Sequence, residues 1–234
     1  MLKQGDKNKD VQLLQRLLNV VIGKKPVLIP DGDFGGLTTA AVMEAQHKFG
    51  LSIDGTVSDD MLAHLQEEAL ALGWQKQYAP GAPAPWLKLA GKEVGVAEIA
   101  GPANNPKILE YIATFPYLAT IKVKNSALTM AQTEETAWCA CFVNWCLLCA
   151  GQVGGPGALA ESWLKYGTEL ADPVPGAITV IYGAPSPGTT ASGWHVGFWL
   201  GGTADEPRLL GGNQGNQVSD FTFDRKVKGW RWPG

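Results

Sequence analysis

The chain has 234 residues, which exceeds the usual size of one small domain and favours two. Its composition, 45% hydrophobic and 18% charged with nine Trp, is typical of a globular protein that buries a core, and it excludes a disordered or fibrous chain. The net charge of -3 disfavours a nucleic-acid partner, because such proteins normally use a cationic face to displace counterions from phosphates.

The first residues, Met1 to Lys7, lack the apolar stretch of a signal peptide, and no later run has membrane-spanning length. We therefore expect synthesis in the cytoplasm and no membrane insertion. All four cysteines lie between Cys139 and Cys149 on one predicted helix, where pairs have poor geometry for disulfides. Free thiols are the expected state.

Three amphipathic segments are predicted in the N-terminal part. Apolar residues recur at three- and four-residue spacing over Lys9–Ile22, and similar patterns predict helices over about Thr38–Phe49 and from Ser58 into Leu72. Between them, Asp31-Gly32 and Asp54-Gly55 each supply a tight turn. Three short helices closing a single core are therefore expected.

This segment resembles the three-helix peptidoglycan-binding domain family over about residues 1–74. The resemblance is carried by Gln12, Leu13, Gln15, Leu17, the turn Asp31-Gly32-Asp33-Phe34-Gly35, Thr38, Ala41, Val42, Gln46 and Phe49. It implies bacterial peptidoglycan as the partner, although the residues by themselves are equally compatible with a purely structural bundle. Spaced prolines predict an extended linker over residues 75–85, which leaves 86–234 as a second domain. We expect the protein to be a monomer.

The most informative segment of the second domain is 134–146, which opens a helix predicted to run to about Ala150. Cys139 lies in its first turn, where unpaired backbone N–H groups and a positive partial charge favour the thiolate. Cys139 is therefore the candidate nucleophile. One continuous helix cannot bring all four thiols to one side of a zinc ion, and no other ligand cluster appears, so no metal is expected. No organic cofactor is expected either, because a thiol and an imidazole suffice for nucleophilic catalysis.

A single histidine in this domain, His195, is the candidate general base. The alternation over Gly193–Leu200 predicts a half-buried strand. Asn213, in the turn-forming segment Leu210–Asn216, is the candidate third polar group that fixes the tautomer and orientation of the imidazole. The nearly equal alternative is that Asn213 has no catalytic role and is present because Asn is favoured in turns.

Helices followed by strands predict an α+β domain. Short helices are expected over Leu87–Val94 and Pro106–Thr114. Strands are expected at Ala177–Tyr182, Arg208–Leu210, Val218–Phe223 and Val227–Trp232, in addition to the strand of His195. The expected layout is therefore a small three-helix bundle followed by helices packed on an antiparallel sheet.

The second domain resembles the CHAP and NlpC/P60 cysteine peptidase superfamily over roughly residues 86–232. The resemblance is carried by Glu135-Thr136-x-Trp138-Cys139-Ala140-x-Phe142-Val143, Ser162-Trp163, His195-Val196-Gly197 and Gly211-Gly212-Asn213-Gln214. It looks closest to the branch found in phage lysins, which commonly carries Pro where Ala137 stands. The resemblance implies a papain-like fold.

The same resemblance implies a function. Cys139, His195 and Asn213 would hydrolyse an amide of peptidoglycan through a thioester, and Glu135, Trp138, Ser162, Trp163 and Gln214 would contact substrate. A phage endolysin that cuts within the stem peptide, reaching the wall after membrane permeabilisation, is expected. The alternatives are an amidase at the sugar-to-peptide bond, a transferase or deamidase using the same thioester, an effector injected into rival bacteria, and a wall-binding protein without catalysis.

Overall fold

The computed structural model describes residues 1–23, 26–184 and 192–234. The chain forms two compact units, one made of Met1–Lys76 with Leu147–Gly154 and the other of Gln77–Cys146 with Gly155–Gly234. Helices dominate the N-terminal part and a six-stranded antiparallel sheet ends the chain, which confirms the predicted α+β class. The predicted domain boundaries at residues 74 and 86 stay a prediction.

Three helices build the first unit: α1 (Lys9–Ile22), α2 (Gly36–Lys48) and α3 (Asp59–Ala71). The side chain of Asn8 caps α1 by accepting hydrogen bonds from two backbone N–H groups, and that of Ser58 caps α3 by accepting one. The apolar stripe of α1 is fully buried against side chains of the other two helices and the loops. The predicted three-helix core is thus present.

The two Asp-Gly turns are built as structural repeats. Gln15 of α1 donates to the Asp31 side chain and the Asp33 carbonyl, while its oxygen accepts from the Gly32 N–H. Gln46 of α2 makes the same three types of bond to the turn Asp54–Thr56. Each turn is therefore held by one buried glutamine of the preceding helix, which satisfies backbone groups that burial would otherwise leave unpaired.

Three further α-helices follow along the chain: α4 (Pro85–Lys92), α5 (Pro106–Ile112) and α6 (Cys139–Cys149). Short 3₁₀ helices lie at Pro116–Thr120, Met130–Gln132 and Ala160–Lys165. Within the described residues no helix is long and apolar enough to cross a membrane.

The sheet has the strand order β1-β6-β2-β3-β4-β5, and every neighbouring pair is antiparallel. The strands are β1 (Thr168–Leu170), β2 (Ile178–Tyr182), β3 (Trp194–Gly202), β4 (Pro207–Gly211), β5 (Ser219–Thr222) and β6 (Lys226–Trp232). Five of them were predicted, while the three-residue β1 was not. The strand that carries His195 lies inside the sheet, between β2 and β4.

The prediction that this strand is half-buried was wrong, because β3 is buried on both faces from His195 to Trp199. On one face the ring of Phe198 lies 6.5 Å from that of Phe142 in α6. On the other face Trp199 packs edge-on against Trp230 of β6, with ring centroids 5.8 Å apart. The histidine is therefore presented by a rigid central strand.

Part of the predicted linker is packed rather than free. Tyr78 is 5% exposed, and its ring meets that of Trp86 edge-on at 5.5 Å. Its backbone carbonyl accepts a hydrogen bond of 2.6 Å from the indole N–H of Trp232, at the end of β6. These contacts join the two ends of the second unit.

Candidate active site

Cys139 is the first residue of α6, as the sequence predicted. The backbone carbonyl of Trp138 accepts the first helical bond, from Phe142, so the N–H groups at the start of the helix have no partner within it. The backbone N–H groups of Val196, Ala140 and Cys139 lower the pKa of the Cys139 thiol. These donors favour the thiolate, but burial outweighs them and raises the pKa of Cys139, so the resting group is a thiol.

The other thiols take no part in this arrangement. Within the described residues none of the four cysteines forms a disulfide, and Cys141 and Cys146 are completely buried. Burial raises the pKa of Cys141, which keeps it protonated and unreactive. Among the described residues no group of three or more His, Cys, Asp or Glu side chains could hold a metal ion.

His195 lies on β3, and the backbone N–H of the next residue, Val196, acts on the Cys139 sulfur. The Nε2 atom of His195 lies 3.0 Å from Oε1 of Gln214. Because the amide nitrogen of Gln214 donates to the Ser219 carbonyl at 2.5 Å, its oxygen must accept from the ring.

This contact defines the tautomer of the histidine. With Nε2 protonated and donating to Gln214, the Nδ1 atom carries the lone pair. In the part of the chain that the structure describes, Nδ1 makes no hydrogen bond. Burial lowers the pKa of His195 to about 4, the Gln214 hydrogen bond opposes this shift, and the positive charge of Arg225 adds to it. The resting imidazole is therefore neutral and able to accept a proton.

The predicted orienting residue, Asn213, is replaced in this role by its neighbour. Asn213 adopts the left-handed conformation, with φ of 57°, and no hydrogen bond joins it to His195 within the described residues. The chain turns at this position, and the following side chain, Gln214, returns to the imidazole. Gln214, predicted to contact substrate, is 5% exposed and acts on the histidine instead.

Gly211 and Gly212 precede this turn, and their lack of side chains leaves the room that the turn needs. A Cβ atom at Gly211 would lie 2.5 Å from Oε1 of Gln214 and 3.4 Å from Nε2 of His195. A Cβ atom at Gly212 would lie 2.4 Å from the ring of Trp138 and 2.6 Å from Cβ of Phe142. The Gly-Gly pair therefore allows the turn to approach both His195 and the helix that begins at Cys139.

Two predicted substrate contacts are buried packing residues instead. Trp138 and Trp163 expose none of their surface, because each ring is enclosed by the fold. The indole N–H of Trp138 donates to Glu98 at 2.8 Å, and that of Trp163 donates to the Gly157 carbonyl at 3.0 Å. Both side chains support the site from within, so the structure does not give them the predicted contact with substrate.

The remaining two predicted substrate residues are accessible. Glu135 is exposed, four residues before Cys139, and its backbone N–H donates to the Thr133 side chain at 3.3 Å. Ser162 is partly exposed, and its hydroxyl donates to the Leu159 carbonyl at 2.6 Å. Their contact with substrate stays a prediction.

Sequence reasoning missed two residues that shape the site. Glu134 is 3% exposed, and its carboxylate accepts bonds of 2.6 Å from the backbone N–H groups of Ile99 and Asn105, which fixes that loop to the segment before α6. Phe223 packs on the imidazole, with its ring centroid 5.0 Å from that of His195. The position of Glu134 next to the predicted motif was the available signal for the first, and nothing local marked the second.

Comparison with known proteins identifies the first part of the chain. The family described as "Putative peptidoglycan binding domain" matches residues 7–65. Residues 7–65 form a peptidoglycan-binding domain of this family. The earlier resemblance of this segment is thereby confirmed, and no curated protein matches the chain.

The chain is also similar to one solved structure, that of a protein from Staphylococcus aureus subsp. aureus Mu50 described as similar to a lipoprotein of the NLP/P60 family. It shares 11% sequence identity with this chain, and the match covers 98% of this chain and 99% of that one with a TM-score of 0.30.

Proposed function

We propose that the chain is a cysteine-dependent peptidoglycan hydrolase that cuts an amide bond of the stem peptide. The observation that carries the proposal is a helix-start thiol that meets the backbone N–H of Val196, the residue after a histidine whose Nε2 is held by Gln214. A buried polar group that holds the second ring nitrogen is the usual third member of such a pair. The peptidoglycan-binding domain at residues 7–65 supports the wall as the substrate.

The catalytic steps follow from the protonation states. Cys139 transfers its proton to Nδ1 of His195 as the sulfur attacks the carbonyl carbon, which forms a tetrahedral oxyanion. Backbone N–H groups at the start of α6 are the available donors for that oxyanion. His195 then protonates the leaving amine, and a water molecule, deprotonated by the same nitrogen, hydrolyses the thioester and regenerates the thiol.

Gln214 acts during the charged part of this cycle. When His195 holds both protons, the Gln214 oxygen still accepts from Nε2–H, so it stabilises the imidazolium in a buried setting. This is the state that burial disfavours most. Within the proposal, the bond is an endopeptidase linkage in the stem, as in an endolysin that reaches the wall after membrane permeabilisation.

The decisive experiment is mass spectrometry of fragments released from purified peptidoglycan. The full chain is compared with Cys139→Ala and with Cys141→Ala, a matched control that removes a buried thiol two residues along the same helix. We expect shortened stems still attached to sugar, from the parent and the control only. Free peptides with bare glycans would mean an amidase, and the absence of any Cys139-dependent product would refute the hydrolase.

A further inference from the structure

Arg225 lies near the catalytic histidine, and no carboxylate among the described residues pairs with it. It follows Phe223 in the turn between β5 and β6, and its guanidinium carbon lies 5.7 Å from the centre of the Phe223 ring. That ring in turn packs on His195 at 5.0 Å. The positive charge is close enough to affect the protonation of the imidazole.

The arginine is held by contacts that leave its charge unneutralised. Its aliphatic stem lies over Gly183, where a Cβ atom would approach Cγ of Arg225 to 2.7 Å. One guanidinium nitrogen donates a long bond of 3.4 Å to the Gly193 carbonyl. Across residues 1–23, 26–184 and 192–234 no carboxylate pairs with it, whereas Arg208 pairs with Asp220 and Arg231 with Glu169.

An unneutralised cation at this position opposes the proposed chemistry. The imidazolium formed when Cys139 loses its proton has the same charge as Arg225, and like charges at short range destabilise each other. A substrate anion bound to the guanidinium would remove this penalty and contribute its own attraction to the imidazolium. The arrangement therefore favours turnover of a substrate that supplies the anion.

The planar shape of the Arg225 guanidinium indicates which kind of anion it would bind. A guanidinium presents a planar fork of N–H donors that matches the two oxygens of a carboxylate. Stem peptides of the wall carry carboxylates that are not part of amide bonds. Resting on the hydrolase proposed above, we infer that Arg225 forms a subsite for a free carboxylate of the stem peptide and selects substrates that carry one next to the scissile bond.

The test measures binding, so that it does not depend on catalysis. Isothermal titration calorimetry compares two synthetic stem peptides, one with free carboxylates and one with each of them converted to carboxamide, in the full chain carrying Cys139→Ala. We expect the carboxylate peptide to bind about tenfold more tightly, which corresponds to one charge-assisted pair. Arg225→Gln in the same background should bring the ratio to about one, while Arg225→Lys should retain part of it.

Arg208→Gln is the matched control, because it removes an exposed arginine of the same sheet that is already paired. It should leave the ratio unchanged. A preference that survives Arg225→Gln and Arg225→Met, no preference in the Cys139→Ala parent, or no binding of either peptide at millimolar concentration would each overturn the subsite. Failure of the parent chain to cleave peptidoglycan would instead refute the hydrolase, whatever the binding ratio.

Discussion

At the scale of single residues, the chemistry depends on which nitrogen of His195 carries the proton. Gln214 determines this by accepting from Nε2, since its own amide nitrogen is committed to the Ser219 carbonyl. A leucine at this position would fill a similar volume but could accept no hydrogen bond. Substitution of Gln214 by leucine therefore tests the positioning of the imidazole separately from its packing.

We predict that Gln214→Leu lowers kcat for wall hydrolysis about 10²-fold, a size typical for impaired general acid–base catalysis. The reason is that the imidazole loses both its tautomer preference and the acceptor that stabilises its charged form. Hydrolysis of purified peptidoglycan, followed by turbidity, measures the effect. Asn213→Ala, which changes the adjacent side chain, should have a much smaller effect, and equal losses in the two variants would contradict the assignment.

The pH dependence of activity is a second prediction at this scale. The pKa of His195 is lowered to about 4, so the base is neutral above that pH, and kcat/KM should fall only in acid below about pH 5. The raised pKa of Cys139 places the alkaline limit above the usual thiol range. Arg225→Gln should move the acid limb to higher pH, because it removes a charge that lowers the histidine pKa. An acid limb near 6.5, the ordinary histidine value, would contradict this.

At the scale of elements, Gly211 and Gly212 are each required for a different reason. Alanine at Gly211 would displace the flexible end of Gln214 and affect its bond to the histidine. Alanine at Gly212 would overlap the buried ring of Trp138 and the Phe142 side chain, neither of which has room to move. The first substitution acts on the catalytic arrangement and the second on packing.

We predict that Gly211→Ala lowers activity more than tenfold while reducing the free energy of unfolding by less than Gly212→Ala does. Gly212→Ala should reduce the free energy of unfolding by about 1–3 kcal/mol, the typical cost of overpacking. Denaturant unfolding and wall hydrolysis are measured on the same preparations. The prediction fails if both variants lose activity and stability together.

The glutamine-held turns of the first unit give a further prediction. Gln15→Ala and Gln46→Ala should each reduce the free energy of unfolding of that unit by about 1–3 kcal/mol, because each leaves a buried backbone group without its partner. Gln66→Ala, a partly exposed glutamine of α3, is the matched control and should change it little. A stability unaffected by either turn variant would show that water replaces the amide.

Local sequence patterns predicted part of the fold and of the candidate site. The helix bounds and the positions of Cys139 and His195 were predictable, because periodicity and helix starts are local properties of the chain. The exchange of Asn213 for Gln214 was not, since it depends on a left-handed residue and on the space left by Gly211. The strand β1, with three mostly exposed residues, carries no alternation to detect.

At the scale of the whole molecule, wall binding and cleavage should be separable. The first unit includes Leu147–Gly154, and the Gly151 carbonyl accepts hydrogen bonds from Arg16 at 2.6 Å and from the Trp74 indole at 3.3 Å. Both side chains are more than nine-tenths buried. A fragment of Met1–Lys76 lacks this acceptor, which leaves two buried donors to be satisfied by water.

We therefore predict that this fragment unfolds with a free energy about 1–3 kcal/mol lower than the same unit in the full chain. Below its unfolding temperature it should still co-sediment with insoluble peptidoglycan, as should the full chain carrying Cys139→Ala, because residues 7–65 supply the binding domain. Circular dichroism establishes that the fragment is folded at the temperature of the binding assay. If the folded fragment stays in solution while the Cys139→Ala chain sediments, the wall affinity requires residues beyond Lys76, and the first unit acts as a structural support for them.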